Sequence, residues 1–165
     1  VRLFVADMLI LDEMPGTGFD CVFCIGNSIV HLGSKDAILD AIRNMKKKLG
    51  RNGALLLQII NFDRILEKGV TSLPTITNSD IGLVFHRNYK RNEETGIIYF
   101  DTELIIKNDN CDERFENRVE LFPLLSADMR ELLQLAGFDS IKFYGGFSGE
   151  PYIAGESYLL VAEAM

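Results

Sequence analysis

At 165 residues the chain is sized for one domain, and 47% hydrophobic beside 25% charged residues is ordinary for a globular protein with a real core. A net charge of −7 excludes the basic face of a sequence-independent nucleic-acid binder and disfavours an anionic membrane surface as partner. No apolar run approaches the ~20 residues of a membrane helix, no signal-peptide pattern opens the chain, and three cysteines fit a reducing compartment better than a disulfide framework, so a cytoplasmic, metal-free protein is expected.

Taken in chain order, Val1-Arg2-Leu3-Phe4-Val5-Ala6 has the apolar character of a strand that breaks at Asp7. A strand already under way at the first residue reads as a cut or processed end. Pro15-Gly16-Thr17-Gly18 is a loop, and residues 19–25 form an apolar run whose two faces are both hydrophobic, the pattern of a parallel strand covered by helices on each side. Cys21 and Cys24 have CxxC spacing, but three positions apart on a strand they face opposite ways and cannot readily share a metal or a disulfide. Ser34 offers a helix N-cap with Asp36 in the first turn, and Ile38, Ile42, Met45 and Leu49 follow at the spacing of one helical face. Lys46-Lys47-Lys48 reads as the solvated end of that helix, where cations complement its dipole, and Gly50 and Gly53 stop it. A second buried strand over 54–60 ends at Asn61.

Residues 62–80 read as loop. Three alternating segments near 82–89, 97–107 and 114–122, separated by Asn-, Gly- and Asp-rich turns, predict half-exposed antiparallel strands, a β-meander inserted into the α/β chain. The α/β grammar resumes with a helix capped by Ser126 that runs through Leu132, Leu133 and Ala136 to Gly137, then strands over 141–147 and 157–163. The expected fold is therefore α/β, with a core from 1–61 and 123–165 and an insertion at 62–122.

In open α/β sheets ligands collect beyond the carboxyl ends of strands. Three such ends here are polar: Asp7, Gly26-Asn27-Ser28 and Asn61. Asp7 can accept from an amine, Gly26 lets a ligand approach the backbone, and Asn27 both donates and accepts. Each alone is as well explained by a turn; their recurrence at strand ends is what points to a site.

VRLFVADM followed by FDCVFCIGNSIVHL resembles the middle of a class I S-adenosylmethionine-dependent methyltransferase. The GNS-x-x-HL corner and NFDRIL after the next strand resemble the glycine/sarcosine N-methyltransferase branch, and AGFDSIKFYGGFSGEPYIAGESYLLVAEA is similar to that branch's final β-hairpin. The resemblance implies the C-terminal portion of a Rossmann-like methyltransferase sheet with an inserted antiparallel meander, and S-adenosylmethionine as cofactor. By the same resemblance Asp7 would hold the adenine amino group, Met8 would touch the ring, and Ile25 and Gly26 would flank the methionine part. Asn27 would stand near the methyl group and the acceptor, and His31 would close over the cofactor; the plain reading of His31 is a helix-surface or capping histidine. Asn61 and, from the meander, Arg87, Tyr89 and Tyr99 are candidate substrate contacts, though the plainer reading of each is an ordinary strand or turn residue.

Two departures from the family pattern matter. The arginine that pairs with the substrate carboxylate after the fifth family strand is Ile60 here, so glycine itself is not expected as acceptor; His86-Arg87-Asn88-Tyr89 looks like that motif but lies in the meander. The glycine-rich loop, first strand and ribose-binding acid of the family precede the point at which this chain starts. The run at 19–25 would then be a bare apolar edge, and either residues 1–6 or a second copy of the chain is expected to pair with it, giving a homodimer. The expected function is methyl transfer from S-adenosylmethionine to a small molecule, impaired in this chain alone, with alignment and water exclusion rather than a catalytic base carrying the chemistry. The alternatives are a catalytically silent α/β dimer that uses its meander as an interaction surface, and another doubly wound nucleotide binder.

Overall fold

The computed structural model describes residues 2–107 and 111–165. In chain order the elements are β1 (Phe19–Cys24), α1 (Lys35–Lys48), β2 (Leu49–Ile60), α2 (Phe62–Glu67), β3 (Ile76–Asn78), β4 (Leu83–Arg91), β5 (Ile98–Ile106), β6 (Glu113–Leu121), α3 (Ser126–Leu135), β7 (Ile141–Tyr144) and β8 (Leu159–Ala164). Short 3-10 helices occupy Met8–Glu13, Ser28–Leu32 and Ser79–Ile81. The strands form a mixed sheet of order β1-β2-β8-β7 and a separate antiparallel sheet of order β3-β4-β5-β6. In the mixed sheet β1 and β2 are parallel, as a helical crossover requires, and β8 enters antiparallel between β2 and β7.

α1 forms where the sequence predicts it. The Ser34 hydroxyl accepts from the Ala37 amide at 3.2 Å, and Ile38, Ala41, Ile42 and Met45 are buried on one face. They meet Leu55, Leu57 and Ile59 of β2, Met129 and Leu133 of α3, and Ile29 and Val30 in one core. Each such fully buried side chain contributes about 1.5–3 kcal/mol. Of the three lysines only Lys47 is exposed as a solvated end requires. Lys46 donates to the Gly137 carbonyl and lies 4.6 Å above the Phe138 ring; Lys47 pairs with Asp12 at 3.0 Å; Lys48 is buried and donates to the Asp12 and Met14 carbonyls. They tether the flanking loops to the helix.

Several further expectations are corrected. Residues 2–6 form no strand and pair with nothing, and Val1 lies outside the described residues. Apolar composition makes a strand only where a neighbour supplies hydrogen bonds, and here Leu3, Phe4 and Val5 stand exposed. β1 is covered on one face only: Val22 and Cys24 pack against the core, while Phe23, 65% exposed, and Phe19 and Ile25 face outward. Residues 62–80 are not simply loop, since α2 and β3 lie there, and β3 makes the meander four-stranded. Ser126 does not cap α3. Leu125 holds that position without a side-chain bond, and the Ser126 amide donates instead to Asp63 Oδ2 at 2.8 Å.

The four-stranded sheet rests on the core through Tyr89, Ile98 and Leu121, and the Phe122 amide donates to the Val30 carbonyl at 2.9 Å. Among the described residues no helix is long and apolar enough to cross a membrane.

Candidate functional site

The corner after β1 is built from two consecutive left-handed residues, Gly26 (φ 77°) and Asn27 (φ 66°). Asn27 is the only non-glycine residue with positive φ among the described residues, and asparagine is one of the few side chains that tolerates it. β2 fixes the turn. The Gly26 amide donates to Gln58 Oε1 at 2.8 Å, the Asn27 amide to the Gln58 carbonyl at 3.3 Å, and Asn27 Oδ1 accepts from the Ile60 amide at 3.1 Å. Side chains thus extend the β1–β2 ladder past the last strand residue. Ser28 Oγ closes the turn on the Ile25 carbonyl at 3.0 Å. A Cβ placed on Gly26 would meet no atom within 4 Å, so the outer side of the corner is open space. His31 is exposed on the following 3-10 helix, whose neighbours Ile29 and Val30 are fully buried. Burial raises the Cys24 thiol above its ordinary value, which keeps it protonated, and Cys21 faces the opposite, exposed side.

Asn61, after β2, is 2% exposed and meets its whole hydrogen-bonding capacity inside the chain. Its Nδ2 donates to the carbonyls of Ala154 (2.7 Å) and Ser157 (2.8 Å), and its Oδ1 accepts from the Arg64 amide, capping α2, and from the Tyr152 hydroxyl at 2.7 Å. The Tyr152 hydroxyl is shared with Asp63 Oδ2 at 2.8 Å, the oxygen that also takes the Ser126 amide. Burial, and then the hydrogen bond to Asp63, push the Tyr152 phenol well above its ordinary value. This knot fastens α2, α3 and the β7–β8 connection together.

Asp7 and Met8 stand apart from the corner residues. Asp7 Oδ1 accepts from the Leu9 amide at 2.8 Å and caps the helix Met8–Glu13, and among the described residues its second oxygen has no partner. Both residues line a groove of about 1170 Å³ whose far wall includes Phe19, Cys21, Val22 and Phe23 along the free edge of β1. Ile25, Gly26, Asn27 and His31 do not line it. On the meander Tyr89 is buried, its ring 5.1 Å from that of Phe100, and burial raises its phenol; Arg87 is half-buried and donates to the Pro74 carbonyl at 2.9 Å. Tyr99 receives a hydrogen bond from Asn92 at 3.2 Å and lies under Arg118.

No protein-family model matches the chain. A glycine/sarcosine N-methyltransferase of Aphanothece halophytica is 30% identical over 129 residues, covering 78% of this chain and 45% of that protein. A glycine/sarcosine/dimethylglycine N-methyltransferase of Actinopolyspora halophila is 27% identical over 167 residues, covering 99% of this chain and 27% of that protein. The chain belongs with the class I S-adenosylmethionine-dependent methyltransferases by kinship, related in sequence to the glycine/sarcosine N-methyltransferases. The fold agrees: an S-adenosylmethionine-dependent methyltransferase of Clostridium acetobutylicum superposes with a TM-score of 0.77 at 10% identity, over 99% of this chain and 63% of that one. The chain spans about half the length of the first of these curated relatives and about a quarter of the second.

Three residues that organise these strand ends were not singled out from the sequence: Gln58, Asp63 and Tyr152. Gln58 did leave a signal, as the one polar side chain inside the apolar run 54–60. Asp63 and Tyr152 left none, because their roles depend on partners 63 and 91 residues away.

Proposed function

We propose that the chain belongs to a cytoplasmic enzyme that transfers a methyl group from S-adenosylmethionine to a small amine-bearing acceptor, and that it forms the C-terminal part of a Rossmann-like site. The observation that carries this reading is the corner at Gly26-Asn27, a rigid left-handed turn at the carboxyl end of a parallel strand with open space outside it. Kinship with enzymes whose names specify glycine and sarcosine supports an amino acid or its N-methyl derivative as acceptor.

The residues fit the cofactor on two counts: a glycine backbone free of obstruction at 26, and a carboxylate oxygen of Asp7 without a partner. Asp7 and Met8 would hold the adenine, Ile25 and Gly26 the methionine part, and His31 would close from the following turn. When bound, S-adenosylmethionine supplies a methyl group already activated by its positive sulfur. The chain's own work is then to align the acceptor and exclude water. Asn27, with Oδ1 spent on Ile60, keeps its amide N–H groups for the acceptor side. Asn61 would support that wall from behind, and the meander at 62–122 would serve as a lid, with Arg87 as its candidate contact and Tyr89, buried against Phe100, packing the lid onto the core. No residue is needed to remove a proton from a neutral amine before transfer.

The test is calorimetric titration of S-adenosylhomocysteine into the 165-residue chain, beside Asp7→Ala and Asn27→Ala. Micromolar binding weakened in both variants supports the reading; a folded chain that binds nothing overturns it for this chain alone.

A second reading is favoured by one specific observation, the outward Phe19, Phe23 and Ile25 beside an unpaired β1 edge. In it two copies pair along β1 into a dimer. Sedimentation should then give a dimer for the wild type and a monomer for Phe23→Glu, and a monomeric wild type removes it.

A further inference from the structure

The antiparallel sheet ends on an open edge at β6. That strand pairs with β5 along its length, and among the described residues no strand lies on its other side. Nine residues long, it presents an outer row of backbone groups as a template for another strand. Its two faces differ in character. Val119 and Leu121 face the core with Phe100 and Ile98 across the ladder, and Phe115, 53% exposed, carries the same face past the core beside Leu104. Arg114, Glu116, Arg118 and Glu120 occupy the opposite face, and all four are exposed. Arg114 pairs with Glu103 at 2.6 Å, and Arg118 with Asp101 at 2.5 and 2.7 Å. Glu116 instead stands directly opposite Glu103, a like-charged pair on the ladder. Among the described residues neither Glu116 nor Glu120 has a cation within ion-pair distance.

Outward from Asn117 this strand is complementary to itself. When two copies run antiparallel about that residue, Asn117 meets Asn117, Glu116 meets Arg118, Phe115 meets Val119 and Arg114 meets Glu120, both members of each pair on one face. Centring the pairing on Glu116 sets Glu116 against itself and Arg114 against Arg118; centring it on Arg118 sets Arg118 against itself and Glu116 against Glu120. Charge therefore selects a single register. We propose that β6 is a self-recognition edge, along which two copies of the chain pair over residues 114–120 and merge their four-stranded sheets into one continuous sheet. The pairing stops short of Phe122, whose amide already donates to the Val30 carbonyl at 2.9 Å. It supplies Glu116 with the cation its own chain lacks and lays Val119 of the second copy against the exposed Phe115. One strand pair is a smaller contact than the ~1,200–2,000 Å² of a standard interface, so the dimer is a dissociable one. The inference is independent of the methyltransferase reading and of pairing along β1, which lies in the other sheet.

The experiment is sedimentation equilibrium of the full chain from about 5 to about 500 μM, beside Glu116→Arg and Arg118→Glu made singly. The wild type is expected to form a concentration-dependent dimer. In either variant alone positions 116 and 118 carry like charges, and the dissociation constant should rise about tenfold or more. An equimolar mixture of the two variants should pair again, because each then meets the opposite charge; mixing does not repair a folding defect, and circular dichroism reports folding directly. Phe23→Glu should leave this dimer intact. A wild type that stays monomeric throughout, variants that pair as the wild type does, or a mixture that pairs no better than its components overturns the inference. So does a dimer lost in Phe23→Glu, which would place the contact on β1.

Discussion

An asparagine follows the apolar run of both β1 and β2, and the two are put to opposite uses. Asn61 spends every donor and acceptor on the chain itself and is sealed beneath the β7–β8 connection. Asn27 spends one oxygen on β2 and adopts a left-handed backbone beside Gly26, whose outer side opens onto free space. The lesson concerns division of labour within one sheet. The saturated end carries the stability, and the unsaturated end, next to an exposed β1, is left able to receive something.

The contrast is broken most severely at the closed end. Asn61→Ala removes the cap of α2 and strands the Ala154 and Ser157 carbonyls, so a loss of about 3 kcal/mol is expected from the urea midpoint. A loss below about 1 kcal/mol would mean that water replaces the amide and that the end is not closed. Gly53→Ala comes next. A Cβ there would stand 2.5 Å from the Phe19 carbonyl oxygen, forcing β1 from β2 at a cost of about 1–3 kcal/mol in thermal unfolding. At the open end Asn27→Gly keeps the turn and loses one hydrogen bond, about 1 kcal/mol, while Asn27→Ala adds roughly 1–2 kcal/mol of backbone strain. Equal stabilities of these two variants would show that the left-handed turn is not held.

How far each end was legible in the sequence follows the same division. Gly26-Asn27-Ser28 announced its turn because the signal is local: a glycine and an asparagine directly after an apolar run. α1, the three long meander strands and the β7–β8 hairpin were legible for the same reason. The knot around Asn61 was not, since Asp63, Ser126 and Tyr152 are brought together only by folding. α2, six residues long, offers too little periodicity to stand out, although Asn61 before Phe62-Asp63 is a cap signal. The missing cover of β1 was equally hidden. An apolar run has the same letters whether helices lie on both faces or on one, and only the exposed Phe23 separates the cases.

Two smaller effects sharpen the comparison. The raised phenol of Tyr152 means that the folded protein keeps this proton to higher pH than the unfolded chain, whose tyrosines titrate near 10. Its contribution is fully present below about pH 10 and is lost as pH rises through the folded value. Urea midpoints at about pH 8 and about pH 10.5 should therefore diverge more for the wild type than for Tyr152→Phe. The smallest effect is expected where α1 and α3 meet in solvent: the Lys35–Asp128 pair, at 2.6 Å, is half-exposed, and Lys35→Ala should cost about 0.5 kcal/mol or less in the same assay.

The bond from Asp63 to the Ser126 amide has a consequence for how such a chain can change over time. It spans 63 residues and joins the two points between which the whole four-stranded sheet is strung. With both ends of that stretch pinned together, lengthening or replacing what lies between alters the closure entropy only slowly, and the body need not readjust. The antiparallel sheet is thus an exchangeable cassette on a latched frame, and a grafted sheet from another relative should be accepted so long as Asp63, Tyr152 and the start of α3 are kept.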